Sequence, residues 1–266
     1  MNPRSSSPAR AGSVFAVDST RLPWGVTAVT LASCLALAAA AGFGRSAYAV
    51  LVLALGLAMA LGWPVLLGMP HEASARLTVA TAAVALGAAI LIPSGDQPLR
   101  WLPLALGVSM MVTFVMLVPG GRLRPHLVES ASGALAGGVV IASGIALAPT
   151  ADRGRGTDFV VVALAALAAG ALAELTGRHP RVGALAVLPV MVAGALVGWL
   201  VARVVGVNAV AALGLGMLLA SFSYSVRRMF GAVPGVREGF GQAALGIASV
   251  LLPGILVVAL AQLAGL

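Results

Sequence analysis

The chain has 266 residues, 60% of them hydrophobic and 9% charged, with a mean hydropathy of +1.05. Soluble domains carry roughly 25% charged residues, so a water-facing globule is excluded and the bilayer must be the main solvent. All sixteen basic residues are arginine and the net charge is +8. The arginines are scattered in short segments between apolar runs, which argues against a nucleic-acid surface and for membrane topology and anionic headgroups.

Residues 1–22 are rich in Ser, Pro and Arg and are expected to form an unstructured cytoplasmic tail. Residues 23–266 are expected to form a single transmembrane helical domain. The first apolar run, about Trp24 to Ala41, follows basic residues and carries small residues at Ala38–Ala40, as a cleaved signal would. The run is long and further runs follow, so a retained first helix is expected. Its Cys34 is the sole cysteine, which excludes an intrachain disulfide and a thiolate metal site.

A span needs about 20 apolar residues. That criterion predicts an all-α bundle of about nine helices, at 24–42, 47–69, 74–93, 99–119, 127–149, 158–175, 182–202, 206–226 and 241–264. Pro64, Pro189 and Pro253 fall inside spans, where they mark kinks. With the N-terminus inside, eleven arginines fall on the cytoplasmic side and five outside. The positive-inside bias therefore favours an odd span count with the C-terminus outside. The same partition puts "GRHP" at 177–180 and a loop holding Arg227 and Arg228 together in the cytoplasm. The implied location is the inner (plasma) membrane.

A faint internal echo relates "LALGVSMMVTFVMLVPGGRLRPH" near 104–126 to "AALGLGMLLASFSYSVRRMFG" near 211–231. Such a repeat is a transporter feature.

Of the eight acids, none is expected mid-span, which counts against a proton- or sodium-coupled carrier. Glu129, Glu174 and Glu238 fall at cytoplasmic helix ends, as interfacial charges or as a set that converges on a metal. His71, His126 and His179 share that face but lie far apart in sequence. The basic stretches "RLRPH" at 122–126, "GRHPR" at 177–181 and "SVRRMFGAVPGVREGFG" at 225–241 offer bidentate phosphate contacts, or simply topology signals.

Several motifs resemble those of phosphatidate cytidylyltransferase, or CDP-diacylglycerol synthase, a family of integral membrane enzymes that join CTP to phosphatidate at a cytoplasm-facing site. "RAGS…RLPWGV" is similar to the family's basic lead-in, and "GRHP" to the hook after its metal-binding helix. "SYSVRRMFGAVPGV" at 223–236 resembles the signature Ser-x-x-Lys-Arg followed by Gly, and "ASVLLPGILVVAL" its closing helix. The chain departs from the family where its chemistry resides. Ala165–Ala166 stand at the Ser-Asp of the helix before the hook, and Ala184 to Val192 replace its lysine-rich stretch. Arg227–Arg228 stand at Lys-Arg, but Val233–Pro234 replace Lys-Asp and Phe240-Gly241-Gln242 replace His-Gly-Gly. Leu245 to Ala248 replace Asp-Arg-x-Asp, after which Ser249 alone is retained.

Nucleotidyl transfer rests on positioning and on charge neutralisation by metal. The resemblance with these losses implies a relative without catalytic residues, resident metal or cofactor. It would engage membrane phospholipids, with Arg178, His179, Arg227 and Arg228 as phosphate or headgroup contacts, or partner a membrane enzyme or its own copy. Two alternatives stay open. One is an active CTP-dependent enzyme with a rebuilt site, Mg2+ being held by Glu129, Glu174 or Glu238. The other is an uncoupled transporter or lipid translocator, to which the Gly-rich spans and the echo point. A purely structural subunit is compatible with the same sequence.

Overall fold

The computed structural model describes residues 22–69, 72–92, 97, 99–117, 127–152, 154–176 and 186–263. Ten α-helices follow in order: α1 (Trp24–Gly42), α2 (Arg45–Leu67), α3 (Glu72–Leu91), α4 (Leu102–Leu117), α5 (Leu127–Ile145), α6 (Arg155–Ala173), α7 (Val187–Val205), α8 (Ala209–Gly231), α9 (Gly239–Leu251) and α10 (Gly254–Leu263). Among the described residues there is no strand. Hydrocarbon cannot hydrogen-bond the backbone, so these apolar runs must satisfy their own N–H and C=O groups, and the helix is how an isolated segment does it.

Eight helical segments are long and apolar enough to cross a bilayer, α9 and α10 counting together as Gly239–Leu263. The chain is a multi-pass membrane protein. Of the fourth expected span, 99–119, the described residues form an apolar helix over Leu102–Leu117. Among the described residues its main packing partners are α3 and α5. The tail expected over 1–22 lies outside the described residues except for Leu22, as do His71, His126, "GRHP" and residues 118–126.

Two expectations need correction. The helix expected at 206–226 starts at Ala209 and runs on to Gly231, so Arg227 and Arg228 lie in its last turns rather than in a loop. Counting apolar residues ended the helix too early, because Arg227 is polar yet has a partner inside the bundle. Glu174, read as an interfacial charge, is buried with 7% of its surface exposed.

Small residues set the helix spacing, as lipid offers no hydrophobic drive between helices. The closest pairing is α7 with α8, and α6 packs on both. A Cβ on Gly198 would meet the Ala212 carbonyl at 2.9 Å, and one on Gly170 the Ala220 Cβ at 2.8 Å. The other half gathers α2, α3, α5 and α9 around Trp63, which is 1% exposed and donates its indole N–H to the Gly133 carbonyl at 2.8 Å. Helix α1 joins the halves by packing on α2, α6 and α9.

The last crossing breaks at Pro253, which has no N–H and interrupts the ladder. Ser143 of α5 repairs the break. Its hydroxyl donates to the Leu252 carbonyl at 2.7 Å and accepts from the Ile255 N–H at 2.8 Å. Ser143→Ala should therefore cost on the order of 1–2 kcal/mol, the penalty for leaving backbone groups unsatisfied out of water. Thermal unfolding in detergent reads this loss, and Ser143→Thr should restore most of it. An unchanged midpoint for the Ala variant would refute the bridging role.

Candidate functional site

The residues best placed for chemistry converge where α6 and α8 end together. Ser223 and Arg227 are four apart on α8, hence on one face, and that face turns inward. Arg227 is 1% exposed, an unusual position for a guanidinium. Its Nε donates to Glu174 Oε2 at 2.7 Å, and its Nη1 donates to the Ser223 hydroxyl at 2.6 Å and, more weakly, to the Ser249 hydroxyl at 3.4 Å. Ser223 donates onward to the Ser249 carbonyl at 2.7 Å, tying α8 to α9. Thr30 of α1 completes the cluster with its hydroxyl 3.2 Å from that of Ser249. Cys34, one turn further along α1, is buried as well.

Four helices thus contribute to one internal polar core. Glu174 caps the C-terminal end of α6, where the aligned peptide dipoles are negative and disfavour a carboxylate. Arg227 offsets that by placing its positive charge against the carboxylate. Among the described residues two polar atoms of the pair remain without a hydrogen-bond partner, Glu174 Oε1 and Arg227 Nη2. Among the described residues the core thus keeps a carboxylate oxygen and a guanidinium NH2 beyond the bonds that tie the helices together.

The other expected site residues are dispersed. Arg228, next to Arg227, points elsewhere: its Nε donates to the Tyr224 hydroxyl at 3.0 Å and its guanidinium lies 5.3 Å from the Tyr224 ring centroid. Glu129 is exposed in the first turn of α5, and Glu238 is exposed where α9 begins. No three His, Cys, Asp or Glu side chains gather among the described residues, so Glu129, Glu174 and Glu238 do not form one set. Arg178 and His179 lie outside the described residues.

A second feature lies at the bundle margin. Helices α3, α4 and α5 border a groove of about 310 Å3 whose walls include Ala82, Leu106, Met110 and Val139. The hydroxyls that reach it are turned back on their own helices: Thr78 donates to the Ser74 carbonyl, Ser109 to Leu106 and Thr113 to Ser109. That leaves a surface suited to hydrocarbon.

Sequence reasoning named Arg227 and Glu174 separately, but it did not pair them, and it gave Ser223 and Thr30 no site role. The i, i+4 spacing of Ser223 and Arg227 was the available signal, since it puts both on one face of any helix through that stretch. No family model, curated protein or solved structure matches the chain.

Proposed function

We propose that this chain is a phospholipid-engaging membrane protein built on a scaffold like that of the phosphatidate cytidylyltransferases, without nucleotidyl transfer. It would lie in the inner (plasma) membrane with its N-terminus in the cytoplasm, α4 being the ninth crossing. One observation carries the reading. Arg227 and Ser249, both matched to the family signature, meet in the core at 3.4 Å, and Glu174, three residues before the hook, joins them. Parts of the sequence that carry the resemblance thus come together in space. The basic residue at the signature position is occupied by an internal carboxylate, so it serves as a strut rather than a phosphate ligand. Arg228, half-buried on Tyr224, takes the headgroup role, and the groove beside α4 suits an acyl chain.

The test is reconstitution in vesicles of phosphatidylcholine with and without phosphatidate. The expected result is no CDP-diacylglycerol from CTP and Mg2+ above the empty-vesicle control. Purified protein should retain phosphatidate over phosphatidylcholine, and Arg228→Gln should weaken that preference several-fold, the effect of losing one charge-assisted contact. Turnover would overturn the inactive assignment; its loss in Glu129→Gln, Glu174→Gln or Glu238→Gln would then identify a rebuilt metal site. Equal retention of both lipids would overturn the phospholipid reading.

A further inference from the structure

At the start of α6, the end remote from Glu174, the α7–α8 turn closes over a cleft of about 380 Å3. That volume falls in the range of small-molecule sites, roughly 300–1,000 Å3. Its lining brings together Arg155, Asp158, Phe159, Val205, Val207 and Asn208. Gly206, at φ 79°, makes the left-handed turn that sets Val205 and Val207 against this end of α6. Arg155 and Asp158 are three residues apart, a spacing at which opposite charges commonly pair. Among the described residues no ion pair joins them. Asn208 commits its side-chain oxygen to the start of α8, accepting from the Val210 and Ala211 N–H groups at 3.0 and 3.3 Å. Its amide NH2 remains as a donor on the cleft.

The cleft therefore offers a guanidinium and an amide donor for an anionic group, a carboxylate for a cationic one, and apolar walls between. We propose that it binds a small zwitterion, its carboxylate or phosphate on Arg155 and Asn208 and its ammonium on Asp158. Two sources share that chemistry, a free amino acid and an ethanolamine phospholipid headgroup. Arg suits the anion because its fork meets two oxygens at once. Arg155 and Asn208 are exposed and Asp158 is half-buried, so these groups are accessible to a ligand arriving from water, with Phe159 and the valines as apolar contacts beside them. The site is independent of the phospholipid reading, since none of its residues belongs to the Arg227 core, to Tyr224–Arg228 or to the α4 groove.

Full-length protein in maltoside micelles, free of competing headgroups, can be dialysed against labelled L-leucine and, separately, sn-glycero-3-phosphoethanolamine. Saturable binding of either is expected: leucine alone assigns a free amino acid, the phosphoester alone a lipid headgroup. Arg155→Gln and Asp158→Asn should each weaken the bound probe about tenfold or more. On the unaltered protein, N-acetyl-leucine and leucine methyl ester should bind about tenfold more weakly than leucine if leucine is the bound probe. For a headgroup, N-acetylation of the phosphoester should do the same. The analogues decide the matter even if a variant fails to fold. Saturable binding of neither probe, or analogues binding as tightly as their parents, would overturn the proposal.

Discussion

Arg227→Ala should lower the unfolding midpoint of the detergent-solubilised protein by on the order of 10 °C, from a cost of about 3–5 kcal/mol. Arg227 is almost wholly buried, and so is its partner Glu174. Removing the guanidinium leaves a carboxylate without counter-charge at the negative end of α6. It also removes the donor to Ser223, loosening the link from α8 to α9. Glu174→Ala should cost a comparable amount, since it strands the guanidinium. Arg227→Lys should fall between, because one ammonium cannot reach the carboxylate and both serines with the same planar geometry. The double variant Glu174→Leu/Arg227→Met is the deciding case. A buried ion pair replaced by apolar groups of similar volume is often neutral or stabilising, so the double variant should regain most of what either single variant loses. Cys34 provides the readout, being the chain's only cysteine and buried close to this core. A maleimide should label it slowly in the parent and the double variant and rapidly in the singles. A double variant as open as the worse single would show that the two residues act separately and not as a pair.

That pairing also marks the boundary of what the sequence made legible. Apolar runs and their breaks sufficed to locate the spanning helices within a few residues, because a span is a composition held over a length. Arg227 and Arg228 are chemically identical neighbours, and composition cannot say which turns inward. Successive residues on a helix point about 100° apart, so one faces the core and the other Tyr224. Which does which depends on where α6, α9 and α1 lie. Glu174 was misjudged for a related reason. Proximity to the end of an apolar run implies water only if no other chain covers it, and its partner is 53 residues away. The groove beside α4 and the cleft at Arg155 are products of packing, with no local signature at all.

Gly216→Val should disrupt the bundle at the α7–α8 seam. A Cβ at Gly216 would run into the Gly194 backbone carbonyl, with the Ala166 Cβ at 3.3 Å on its other side. Gly194 in turn lies with its missing Cβ against Ala220 and 2.6 Å from the Gly216 carbonyl. A backbone cannot swing aside as a side chain can, so α7 and α8 must separate along their length. Overpacking commonly costs about 1–3 kcal/mol, and a branched side chain against backbone belongs at or above the upper end. Gly216→Ala should show the same effect at smaller size. Gly214 is the internal control. It lies on the same helix two residues away, and a Cβ there would meet nothing within 4 Å. Gly214→Ala should be neutral or stabilising by roughly 0.5–1 kcal/mol, since alanine is the better helix former. Equal midpoints for Gly214→Ala and Gly216→Ala would refute close packing of the seam. Because α6 packs on both helices, forcing them apart should also draw Arg227 away from Glu174. Gly216→Val should thus expose Cys34 to maleimide, though it touches neither charge, and Gly214→Ala should leave it protected.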